Sequence, residues 1–103
     1  MKTVRLSAEA DDEVVDAAAW YHDRRPGLER AFLAELERTL DVIGRRPASF
    51  PKLMTPEIQG IRRALLPRFP FALIFAELET HIRVVAVAHT KRQPGYWVGR
   101  VLD

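Results

Sequence analysis

His89, Lys91, Arg92 and Tyr96, with Trp97 beside them, stand in one short stretch near the C-terminus of this sequence. Histidine exchanges a proton near neutral pH, a phenol donates a hydrogen bond or stacks, and guanidinium groups hold carboxylate or phosphate oxygens. The stretch follows directly on the apolar run Ile82 to Ala88, so a strand delivers it. Arg63 and Arg83, on neighbouring apolar runs, are further cations for the same ligand. Cysteine is absent, which removes disulfides, zinc–thiolate sites and thiol nucleophiles, and His22, His81 and His89 do not sit at ligand spacing. Neither a metal nor a cofactor is expected.

The elements that must position these groups begin at Ile61. Three strand-length runs rich in Ile, Leu, Val, Phe and Ala follow, and Phe71 to Leu78 stands so close to Ile82 to Ala88 that the two predict a hairpin. From His81 to His89 one parity reads Ile82, Val84, Ala86, Ala88 and the other His81, Arg83, Val85, Val87, His89. Strict alternation makes the first set core and the second an open face. His89 and Arg83 should then point the same way, with Arg92 and Tyr96 kept near by Pro94-Gly95. Arg62 and Arg63 alternate, so one belongs to the open face and the other pairs with a helix acid.

Upstream, Val4 and Leu6 mark a short strand, and Ser7 is placed to cap a helix whose first turns carry Glu9, Asp11, Asp12 and Glu13. Ala10, Val14, Ala17, Ala18 and Tyr21 form its apolar stripe, with Trp20 at the flank, and Pro26-Gly27 interrupts it. A second helix is predicted from about Leu28 to Ile43, stopped by Gly44, with Leu28, Phe32, Leu33, Leu36, Leu40 and Ile43 facing the core. Val15, Trp20, Ala31 and Val42 are apolar positions beyond these stripes, suited to dock a partner's amphipathic segment. Arg45 to Gly60, with its three prolines, reads as a connection. The order β-α-α-β-β-β predicts an α+β domain, an N-terminal helical hairpin on one face of a mostly antiparallel four-stranded sheet.

The 103 residues make one domain. No apolar run approaches the ~20 residues of a membrane span, so a soluble, cytoplasmic protein is expected. The formal net charge is only +2, but residues 1–57 hold eleven acids against nine Lys and Arg, and residues 58–103 three against seven. The positive field belongs to the sheet half and suits an anionic partner or an acidic protein surface.

Taken together, Leu6-Ser7-Ala8-Glu9-Ala10, the helix pair, Ile61-Arg62-Arg63-Ala64, Phe71-Ala72-Leu73-Ile74-Phe75 and above all Val85 to Trp97, with its His-x-x-Arg-x-Pro-x-Tyr-Trp ending, resemble the RelE/ParE toxin superfamily. The resemblance is to its members called plasmid stabilisation proteins, and it covers nearly the whole chain. It implies the toxin of a type II toxin–antitoxin pair, held inactive by a cognate antitoxin. RelE-like members cut mRNA in the ribosome, whereas ParE-like members poison DNA gyrase. Metal-free RNA cleavage needs a base, an acid and cations for the phosphate; His89 and Tyr96 are the catalytic candidates, with Arg63, Arg83 and Arg92 as phosphate holders. Two departures favour the ParE-like reading: Ala72 stands where RelE-like nucleases commonly carry an arginine, and the chain is close to charge balance. The target-binding candidates are Arg63, Arg83, Lys91 and Arg92, and the antitoxin-binding candidates Val15, Trp20, Ala31 and Val42. The alternatives are the ribosome-dependent mRNA endoribonuclease and an inactive relative that only binds its partner.

Overall fold

A computed structural model describes residues 1–53 and 59–102. Ser7 is where the first strand becomes the first helix: its Oγ accepts the Ala10 N–H at 3.1 Å, satisfying one of the otherwise unpaired first-turn donors. Strand β1 (Thr3–Leu6) therefore runs straight into helix α1 (Ala8–Arg24), and Gly27, at φ 100°, makes the left-handed turn into helix α2 (Leu28–Arg45). Strands β2 (Ile61–Leu65), β3 (Phe71–Glu77) and β4 (His81–His89) follow, then a short helix α3 (Val98–Leu102) that the sequence pattern did not announce. The sheet order is β1-β4-β3-β2, with β1 parallel to β4 and the other pairings antiparallel. The expected α+β class and the helical hairpin on a mostly antiparallel sheet are both present.

Two cores lie on opposite faces of that sheet. On the helix side Ala10, Val14, Ala17 and Tyr21 of α1 and Phe32, Leu36 and Ile43 of α2 meet Phe71, Leu73, Phe75, Ile82 and Val84. On the far side Ile61, Ala72, Ile74, Val85 and Ala86 gather around Trp97, which is 5% exposed. The far face is thus not simply open: the segment after β4 folds back across part of it.

Strict alternation fails in β4. Pairing with β3 runs Ile74↔Ala86 and then Phe75↔Val84, so Val85 is an extra residue, a β-bulge. Ile82 and Val84 face the helices before it, and Val87 faces them after it, while Val85 and Ala86 both join the far core. Val85 keeps the expected face, but the parity that sets Ala86 and Ala88 with Ile82 and Val84, and Val87 and His89 with Arg83, is wrong from Ala86 onward.

Gly44 does not stop α2. It lies inside the last turn, buried, where a Cβ would stand 3.1 Å from the Lys2 carbonyl oxygen and 3.3 Å from Val4 Cγ2. The glycine lets β1 approach the helix, and the Lys2 N–H donates to the Gly44 carbonyl at 3.2 Å. Gly44→Leu, measured by urea unfolding, is expected to cost about 1–3 kcal/mol through overpacking. After α2 a 3₁₀ turn (Pro47–Ser49) and an isolated bridge, Lys52 to Arg62, occupy the expected connection, of which residues 54–58 lie outside the described part.

α2 also buries a charge. Glu35 is 3% exposed and accepts the Arg68 backbone N–H and Nε, each at 3.0 Å. The carboxylate clamps the Pro67–Pro70 turn while Phe69 stacks edge-on against Tyr21 and Phe32. Burial works against its ionisation, but the Arg68 bonds prevail and hold it below the ordinary 4.5.

Candidate target-binding site

β1 pairs with β4 only as far as Leu6↔Val84, so beyond that point no strand among the described residues lies beside the outer edge of β4. One backbone amide and two side chains fill the gap. Ser7 N–H donates to the Val84 carbonyl at 2.9 Å, Arg100 Nη1 to the Val85 carbonyl at 2.9 Å, and the Val87 N–H to Glu13 Oε1 at 2.9 Å. The bulge and the free edge create these groups, and α1 and α3 satisfy them.

Glu13 is the centre of the arrangement. Besides Val87 it accepts Arg100 Nη1 at 3.0 Å and Nη2 at 3.1 Å, the Tyr96 hydroxyl at 2.5 Å and, more loosely, Arg92 Nη1 at 3.4 Å. Burial would raise its pKa, but the bonds from Arg100, Tyr96 and Val87 outweigh it and lower the pKa below the ordinary 4.5. The Tyr96 phenol is driven the other way, to about 12, by burial first and then by the adjacent carboxylate. The sequence offered Glu13 only as one of four acids at a helix start. A residue 74 positions from its partner Val87 leaves no local signal.

His89 ends β4 with its ring edge-on to Phe71, centroids 5.1 Å apart, and its Nδ1 accepts the Lys91 N–H at 3.1 Å. Two concavities meet at this residue, and His89 and Arg92 line both. The helix-side groove, about 600 Å³, runs between α1 and the sheet past Asp16, Trp20, Tyr21 and Phe71. The far-face pocket, about 250 Å³, lies over Leu65, Ala72 and Ile74 with Arg63 at its lip.

The structure brings His89, Arg92, Tyr96 and Arg63 together and leaves two of the expected cations out. Arg83 precedes the bulge and His89 follows it, so they point to opposite faces; Arg83 is paired in register with Arg5 instead. Lys91 is exposed and lines neither concavity. Arg62 does not pair with a helix acid but donates to the Phe50 carbonyl at 2.6 Å. Of the four helix positions offered as a docking surface, Val15, Trp20 and Val42 are exposed and Ala31 is half-buried. Only Trp20 lines the groove. Trp20 is not flank packing: it is 54% exposed, with the Arg24 guanidinium 4.3 Å from its ring centroid.

Among the described residues no cluster of three or more His, Cys, Asp or Glu could hold a metal ion, and no helix is long and apolar enough to cross a membrane. No protein-family model matches the chain, and no curated protein matches it in sequence. A solved structure does: a chain of the chromosomal ParDE TA system from P. aeruginosa superposes with a TM-score of 0.74 over 88% of this chain and 98% of its own, at 14% identity. This chain therefore shares its fold with that chain of the ParDE system.

Proposed function

We propose that this chain is a ParE-like toxin of a type II toxin–antitoxin pair, which inhibits growth by binding DNA gyrase and is neutralised by a cognate antitoxin. The fold it shares with a chain of the ParDE system supports the class. The observation that favours a binder over a nuclease is the commitment of Tyr96. Its hydroxyl is held by Glu13, with a pKa near 12, and both the Arg92 and Arg100 guanidinium groups lie over its ring, at 3.9 and 5.1 Å from the centroid. A phenol so placed serves poorly as a proton carrier at neutral pH. Ala72, where a nuclease of the superfamily commonly carries arginine, is buried and brings no charge to the far-face pocket.

The purified protein should block gyrase supercoiling or trap cleaved DNA, and leave mRNA intact on translating ribosomes. His89→Gln and Tyr96→Phe should retain growth inhibition on induction, apart from what lost stability explains. Arg63→Ala and Arg92→Ala should weaken it, because a binding surface loses charge-assisted hydrogen bonds. Ribosome-dependent cleavage of mRNA at defined positions, abolished by His89→Gln, with gyrase unaffected, would overturn this reading.

A further inference from the structure

The far-face pocket has a composition that the toxin class does not dictate. Its floor is aliphatic, formed by Leu65, Ala72, Ile74 and Ala88, and Leu65 is 56% exposed at the mouth. Its cations are Arg63 and Arg92, with the His89 ring at the junction, and none of the described residues lining it is acidic. Arg92 is held by Glu13 only at 3.4 Å and keeps 54% of its side chain exposed, so it can turn to a new carboxylate at little cost. At about 250 Å³ the space is smaller than the ~300–1,000 Å³ of typical small-molecule sites, and fits individual side chains.

A nucleic acid would need something else. Single-stranded bases are held by stacking on free aromatic or guanidinium faces. Here the Tyr96 ring already carries two guanidinium groups, and Trp97 is buried in the far core.

We propose that this pocket takes an acidic, aliphatic peptide segment of the protein target, its apolar side chain over Leu65, Ala72 and Ile74 and its carboxylates on Arg63 and Arg92. The inference rests on the reading of the chain as a toxin that binds a protein, and names the chemistry by which it does so. The aliphatic floor supplies the desolvated centre, and the arginines supply orientation and charge recognition at the rim.

A terminally blocked hexapeptide alternating Glu and Leu is the probe, with its Gln-for-Glu counterpart and a uridylate hexamer as competitors, read by two-dimensional NMR of the full chain. The acidic peptide is expected to move the amide signals of Ala72 and Ala88 and the indole signal of Trp97, and to leave the Trp20 indole in place. Arg63→Gln, an exposed strand substitution whose folding the same spectra verify, should weaken it about tenfold, as should the neutral peptide. The assignment fails if the peptide moves no pocket signal, moves only Trp20, or is outdone at these signals by the uridylate. Gyrase inhibition by the wild type and by Arg63→Gln separates the two readings. Peptide binding without any gyrase effect removes gyrase and keeps the pocket; equal inhibition by both proteins, with no peptide shift, keeps gyrase and removes the pocket.

Discussion

Glu13→Ala is expected to lower the unfolding free energy by about 2–4 kcal/mol, and the melting temperature by roughly 10–25 °C for a domain of this size. The side chain is 13% exposed and that of Arg100 only 20%, so, unlike Arg92, Arg100 is not free to turn to water. Removal strands the Val87 N–H at the edge of β4, the Tyr96 hydroxyl and the Arg100 guanidinium at once. The same network sets a pH dependence. Folding lowers the Glu13 pKa below 4.5, so the native state binds its proton less readily than the unfolded chain. The stability it contributes is complete above about 4.5 and is lost as pH falls below that value towards the folded pKa. Glu35, also lowered, adds a loss in the same window. Thermal melts between pH 3 and 7 should show a weaker acid decline in Glu13→Gln than in the wild type. Parallel curves would mean that the carboxylate contributes no charge-dependent stability.

The two tryptophans should separate by several kcal/mol. Trp97→Ala removes the centre of the far core and is expected to cost about 3–5 kcal/mol, the usual penalty for a buried Trp or Phe. That is a large part of the ~5–15 kcal/mol a domain holds in total. Trp20→Ala, on an exposed ring whose contacts are the Arg24 guanidinium and the edge of Tyr21, should cost about 1 kcal/mol or less. Each variant keeps a single indole, so fluorescence-detected denaturation reports both numbers. A severe loss from Trp20→Ala would show that it supports the aromatic cluster of Tyr21, Phe32, Phe69 and Phe71.

The elements and their faces were legible because most of them follow one rule throughout. Ala10, Val14, Ala17 and Tyr21 of α1 and Phe32, Leu36 and Ile43 of α2 are buried at the helical period; Ala18, Leu28 and Leu40 pack half-buried beside them, and Leu33 remains 36% exposed. The misreadings arise where one residue serves two neighbours. Val85 is apolar and fits either face of a strand, so nothing in its type reveals a bulge, and the predicted alignment of Arg83 with His89 failed with it. Gly44 has the composition of a helix stop but the function of a close contact with β1. Glu35 sits amid the buried residues of α2, and only the Arg68 bonds from a distant turn explain how a carboxylate is tolerated there. Glu13 reaches its partners across most of the chain; spacing in the sequence carries no trace of such a hub. The arginines divided for a similar reason: Arg63 and Arg92 share a pocket because β2 and the post-β4 segment meet over the far face.

The outer edge of β4 beyond Val84 also bears on association between molecules. An unpaired strand edge is a template on which another chain can add a strand, and proteins guard such edges with charge, bulges or covering elements. Here all three coincide within a few residues: the Val85 bulge, the Glu13 carboxylate and the Arg100 guanidinium. The carboxylate occupies the direction from which an incoming carbonyl would accept the Val87 N–H. The Glu13 carboxylate therefore blocks this edge as well as bracing it, because it takes up the backbone donor that an added strand would need.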